Sequence, residues 1–128
     1  MAVTLMALYR RPDGGDEALE TFRSRYAEEH LPLVRGTPGL RSLQVLRVAQ
    51  AFDETEITMV TLMGFDDRDA LDAGLRSDAM REAGRNLREI APGLSTLVVL
   101  EPDVEMDPES QAVPEDTIPA PERDIDVP

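Results

Sequence analysis

The chain carries a single histidine, set in the run Tyr26-Ala27-Glu28-Glu29-His30-Leu31-Pro32-Leu33. An imidazole titrates near neutral pH, so it can take a proton from a phenol or an activated carbon and return it, as general acid–base catalysis requires. Tyr26 stands one helical turn earlier, so a helix would point both side chains into the same space. Its phenol is placed to hold a substrate oxygen or to orient the imidazole. His30 and Tyr26 are therefore the candidate catalytic residues. Tyr9 closes the first apolar run and Arg23 borders the stripe that holds His30. Ser42 and Gln44 offer neutral hydrogen bonds from a later strand. These four are the candidate substrate-binding residues. His30, the two tyrosines and Arg23 each have a plainer reading beside this one. A histidine on an apolar stripe can be a core residue bonded to a carbonyl, a tyrosine can fill the core with its hydroxyl at the edge, and Arg23 can pair with a helix carboxylate.

Several chemistries are set aside by composition. With no cysteine and one histidine, the chain has no disulfide, no thiolate metal site and no multi-histidine zinc site of its own. Glu28-Glu29 and Asp66-Asp67 lack the converging spacing of a metal or glycosidase pair and read as solvated faces or caps. No glycine pattern matches a phosphate-binding loop. No cofactor and no metal are expected. All thirteen basic residues are arginines scattered along the chain, rather than the clustered cations that release counterions from phosphates, so no nucleic-acid partner is expected. The amino terminus runs from Met1 straight into alternating apolar residues without a basic segment, which supports neither a signal peptide nor a membrane span. A soluble, cytoplasmic protein is the expectation.

The elements that must position His30 follow from periodicity. Residues 3–9 are apolar on both faces of a strand, with Val3, Leu5, Ala7 and Tyr9 on one and Met6 and Leu8 on the other. Pro12-Asp13-Gly14-Gly15 is turn chemistry, and Asp16 is positioned to cap a helix. Leu19, Phe22, Tyr26, His30 and Leu33 then recur at helical spacing and form one stripe. Pro32 removes the hydrogen bond to the Glu28 carbonyl and should loosen the last turn. Residues 40–50 and 57–65 read as strands. Asp66 caps a short helix at 67–76, and Ser77 opens another whose stripe is Met80, Ala83, Leu87 and Ile90, ended by Pro92-Gly93. Residues 94–100 form the last strand. Methionines 6, 59, 63 and 80 read as adaptable packing.

The order strand, helix, strand, strand, helix, strand predicts an α+β fold, ferredoxin-like βαββαβ, with a four-stranded antiparallel sheet. Strands apolar on both faces need more than one layer of helices, and the economical cover is the same face of a second copy. A homodimer forming an α/β barrel is expected. From residue 101 onward the chain holds ten acidic residues against one arginine and six of its ten prolines, which accounts for most of the net charge of −13. Such a composition cannot bury enough apolar area to order itself. The expected division is a domain at 1–101 and an acidic, proline-rich tail or arm at 102–128.

Tyr26, Glu29, His30, Pro32 and Leu33, followed by Pro38, Gly39 and Leu40, carry a further signal. Together with Leu8-Tyr9-Arg10-Arg11-Pro12, Phe65-Asp66 and Ser77-Asp78-Ala79-Met80, they make residues 2–101 resemble the EthD family. That family is named for ethyl tert-butyl ether degradation and belongs to the dimeric α+β barrel superfamily. The resemblance implies a small, cofactor-independent oxidoreductase, monooxygenase-like, or an accessory to a monooxygenase. Its substrate would be a hydrophobic or aromatic oxygenated molecule of a catabolic or secondary-metabolite pathway, with His30 as general acid/base. The alternatives are a non-catalytic dimeric small-molecule binding or accessory protein and a polyketide dehydratase/cyclase-like enzyme. Position 29 is Glu, where relatives often carry a second histidine. This argues against a metal or haem role and leaves one imidazole for any proton transfer.

Overall fold

The computed structural model describes residues 1–104. Four strands, β1 (Val3–Arg10), β2 (Leu40–Arg47), β3 (Ile57–Phe65) and β4 (Ser95–Leu100), form one sheet in the order β2-β3-β1-β4. Every neighbouring pair is antiparallel. The helices are α1 (Gly15–Arg25), α2 (Leu31–Arg35), α3 (Arg68–Leu75) and α4 (Asp78–Ile90), and a π-helical turn at Tyr26–His30 joins α1 to α2. This is the ferredoxin-like α+β arrangement that the sequence predicts. Among the described residues no helix is long and apolar enough to cross a membrane.

Strand periodicity separates two faces. Val3, Leu5, Ala7 and Tyr9 are buried, as are Met59, Thr61, Met63 and Phe65 in β3. Directly opposed residues share a face, and the register sets Leu5 against Met63 and Val99. The helices cover this side, with Phe22, Val34, Leu71, Ala83 and Leu87 completing the core. The other face presents Met6, Leu8, Leu46, Val60, Leu62, Val98 and Leu100, which follow from the same pairings. Leu46, Val98 and Leu100 are exposed. At Gly64 the strands of this face lie so close that an added Cβ would stand 2.3 Å from the Ser42 hydroxyl.

Element ends differ from expectation in instructive ways. Asp16 does not cap α1. Gly14 holds that position with φ of 110°, a left-handed conformation suited to glycine, and Asp16 falls in the first helical turn 4.0 Å from Arg11. Asp67, not Asp66, caps α3, and its carboxylate accepts from the Ala70 N–H at 2.8 Å. Asp66 instead pairs with Arg41 at 3.3 Å. Ser77 caps α4 as predicted. Strand β2 stops at Arg47, short of Gln50. The helical stripe ends on buried Val34, with Leu33 only half-buried. The cause is the π turn, in which the Leu31 N–H bonds to the Tyr26 carbonyl, five residues back. That inserts one residue into the winding and moves the buried phase on by one position. Pro32, which has no N–H to give Glu28, sits where this wider turn relaxes back into α2. The tail expected at 102–128 lies almost wholly outside the described residues. Of its approach, Glu101 reaches Arg68 at 3.5 Å.

Candidate functional site

Between the helix layer and the sheet lies a cavity of about 160 Å³ that opens to the surface. Leu5, Tyr9 and Met63 form its floor, and His30, Val34, Met80 and Leu87 come from the helices. Leu75 and Leu97, both exposed, line it as well. The wall is almost entirely apolar, and the imidazole is its one readily ionised group.

His30 is 4% exposed. Burial pushes its pKa below the ordinary 6.5, opposed in part by the Asn86 side chain and the Ala83 carbonyl. The ring is therefore neutral at neutral pH and able to accept a proton. Its Nδ1 lies 3.2 Å from Asn86 Oδ1, and one face rests on the Tyr26 ring, with centroids 4.9 Å apart.

The tyrosines have a different office. Tyr26 Oη lies 2.6 Å from Thr61 Oγ1 and 2.9 Å from Tyr9 Oη, so three buried hydroxyls form a chain beneath the cavity. Tyr9, Phe22 and Tyr26 pack ring against ring around it. Burial raises both phenol pKa values, with Tyr26 adding to the rise at Tyr9. Both phenols stay protonated and serve as hydrogen-bonding groups, not as bases. Tyr26 supports the imidazole through its ring while its hydroxyl is engaged with Tyr9 and Thr61, and Tyr9 itself lines the cavity.

The remaining candidates are not gathered at His30. Arg23 lies 3.6 Å from Glu20 and lines a separate cavity of about 330 Å³ with Arg11 and Arg47. Ser42 pairs with Gly64 and Gln44 with Leu62, which puts both on the sheet face opposite the imidazole. Two residues at the site were not anticipated. Glu29 was expected to be a solvated acid, yet it accepts from Arg25 at 2.8 and 3.1 Å and from Asn86 Nδ2 at 3.0 Å. The Arg25 guanidinium, then Asn86, hold its carboxyl below the ordinary range. Arg25 and Glu29 are four apart on a helix, a legible pair. Asn86 lies in the middle of α4, and no local signal joins it to His30. Among the described residues no group of three His, Cys, Asp or Glu side chains could hold a metal ion.

No protein-family model matches the sequence, and no curated protein matches it. Among solved structures, an EthD family protein from Bacillus halodurans is 31% identical, with a TM-score of 0.72 over 80% of this chain and 100% of that one. The chain belongs to the EthD family. More distant structures share the fold of this EthD chain. A dimeric protein of unknown function with a ferredoxin-like fold, from Bacteroides fragilis, is 18% identical, covering 78% of this chain and 95% of its own, at a TM-score of 0.60. SnoaB, a cofactor-independent oxygenase from Streptomyces nogalater, is 20% identical over 84% of this chain and 97% of its own, with a TM-score of 0.52. In the EthD frame seen here, His30 occupies the wall between helices and sheet.

Proposed function

We propose that this EthD protein is a small-molecule enzyme that binds one hydrophobic, oxygenated molecule beside His30 and uses the imidazole as general base. The observation that carries this reading is a buried, neutral imidazole on the wall of an otherwise apolar cavity. This open cavity near 160 Å³ has the volume of an engineered apolar cavity of about 150 Å³ that binds benzene. A ligand of about one ring fits, with one acidic O–H or C–H to meet the base. The reaction class is oxidation by dioxygen without a bound cofactor, a reading supported by the fold shared with SnoaB. His30 accepts the proton and the resulting anion passes electrons to dioxygen. For a ring methylene oxidised to a carbonyl, one oxygen atom becomes the carbonyl and the other leaves as water with the two hydrogens. Substrate supplies every electron.

The working unit in this reading is a cytoplasmic homodimer, with residues 1–101 as the domain and 102–128 as an acidic tail. The open apolar sheet face supports the dimer, as do the dimeric relatives of the same fold. A second reading, a binding or accessory protein, draws on the nearly complete apolar lining of the cavity. Oxygen-electrode assays with single-ring phenols and hydroquinones separate the two. The enzyme reading expects oxygen uptake that falls on the order of 10²–10⁴-fold in His30→Gln. Binding of the same phenols without uptake, in either protein, leaves only the binding reading.

A further inference from the structure

We infer that the chain Arg25–Glu29–Asn86 fixes His30 as the tautomer with hydrogen on Nδ1, which leaves the lone pair of the neutral ring on Nε2. Hydrogen-bond direction at Nδ1 decides the tautomer, and the Ala83 carbonyl, the ring's other partner, is likewise an acceptor and supplies no hydrogen to it. Arg25 has only donors and grips Glu29 through two of them, at 2.8 and 3.1 Å, which keeps that carboxylate an acceptor. The Asn86 atom 3.0 Å from Glu29 must then be the amide NH₂. That sets the otherwise ambiguous orientation of the Asn86 side chain and turns Oδ1 toward His30, 3.2 Å from Nδ1. A carbonyl oxygen only accepts, so Nδ1 must donate. In a neutral imidazole the second nitrogen is then the acceptor.

The design has a chemical consequence that an ordinary core histidine lacks. A carboxylate touching the imidazole directly would favour the imidazolium and load the base with a proton before substrate arrives. Here the neutral amide stands between them. It transmits the orientation imposed by the charged pair and not the charge itself. Arg25, Glu29 and Asn86 are thus positioning residues for the base of the proposed reaction, on which their catalytic meaning rests. The tautomer they set is a property of the protein without substrate.

Because His30 is the only histidine, its ring nitrogens are the only imidazole signals in a ¹⁵N spectrum of the full chain. At pH 8, long-range ¹H–¹⁵N correlation of the wild type is expected to show protonated Nδ1 and unprotonated Nε2. A hydrogen on Nε2, or an averaged pair of signals, would overturn the inference. In Glu29→Gln, whose side chain can donate or accept, Asn86 is released to turn and the two nitrogen signals should move toward each other. Asn86→Leu should do the same without relying on Glu29. An unchanged wild-type pattern in both variants would also refute it. Oxygen uptake is a separate readout. If the base reading holds, Glu29→Gln lowers kcat with KM nearly unchanged, whereas a protein without turnover keeps or loses the tautomer pattern independently.

Discussion

At the residue scale, the hydroxyl chain makes a graded prediction. Tyr26 holds the middle place, bonded to both Tyr9 and Thr61, while Tyr9 holds an end. Tyr26→Phe strips partners from two buried hydroxyls, and each orphaned group costs about 1–3 kcal/mol. Tyr9→Phe leaves the Tyr26–Thr61 bond intact. Urea unfolding should therefore rank Tyr26→Phe as the more destabilised, and equal midpoints would mean that Tyr9 and Thr61 pair directly without Tyr26. His30 contributes a pH dependence whose sign follows from burial. Its folded-state pKa lies below the unfolded value of 6.5, so on acidification the unfolded chain takes up a proton that the folded chain resists. Stability is fully present above about pH 6.5 and falls below it. His30→Gln should flatten the loss of urea midpoint between pH 7.5 and pH 5.5. A slope as steep as wild type would mean that His30 is not the group responsible. His30 and Tyr26 were legible as a pair because the i,i+4 rule acts within one helix. Asn86 was not, since it meets His30 only when α4 packs across α2 and the π turn, a tertiary fact that no local spacing encodes.

At the scale of elements, apolar periodicity reported faces well and ends poorly. The stripe Met80, Ala83, Leu87, Ile90 and the alternation of β1 both reappear in the fold, because burying an apolar face is what stabilises these short elements. Ends depend on single hydrogen bonds, and adjacent residues compete for them. Asp66 and Asp67 are both competent caps by type, and only the backbone path decides. Asp67 is extended, with its carboxylate over the Ala70 N–H, while Asp66 turns to Arg41. Asp67→Ala should lower stability by about 1 kcal/mol. Asp66→Ala, which removes only an exposed ion pair, should change it by less than about 0.5 kcal/mol. Chemical denaturation of the two variants side by side checks the assignment, and a reversed order would return the cap to Asp66. The π turn belongs to the same class of feature. Pro32 announced a loosened winding, but its form, and with it the exchange of Leu33 for Val34 in the core, depends on how Tyr26 and His30 pack beneath α4.

At the scale of the whole molecule, the described residues give a sheet with one face covered by helices and one left apolar. Met6 on β1 opposes Leu62 on β3 and Val98 on β4, and Gln44 on β2 opposes Leu62 from the other side. Leu62 therefore stands at the centre of the open face. A contiguous apolar patch of this kind marks an interaction surface, and two copies of the same face meeting about a two-fold axis would bury each other. An unpaired carboxylate buried at such a contact is costly, because neither the apolar partner nor excluded water can solvate it. If the proposed dimer forms through this face, Leu62→Glu should give a monomer where the wild type gives a dimer, in size-exclusion chromatography with light scattering. Arg81→Glu, on the exposed side of α4, should leave assembly unchanged. The imidazole cavity lies on the opposite side of the sheet, so a folded Leu62→Glu monomer should retain the neutral Nδ1–H pattern of His30. Retained dimerisation in Leu62→Glu would remove the open face as the interface. Loss of both dimer and histidine pattern would show instead that the sheet needs its partner in order to hold the site together.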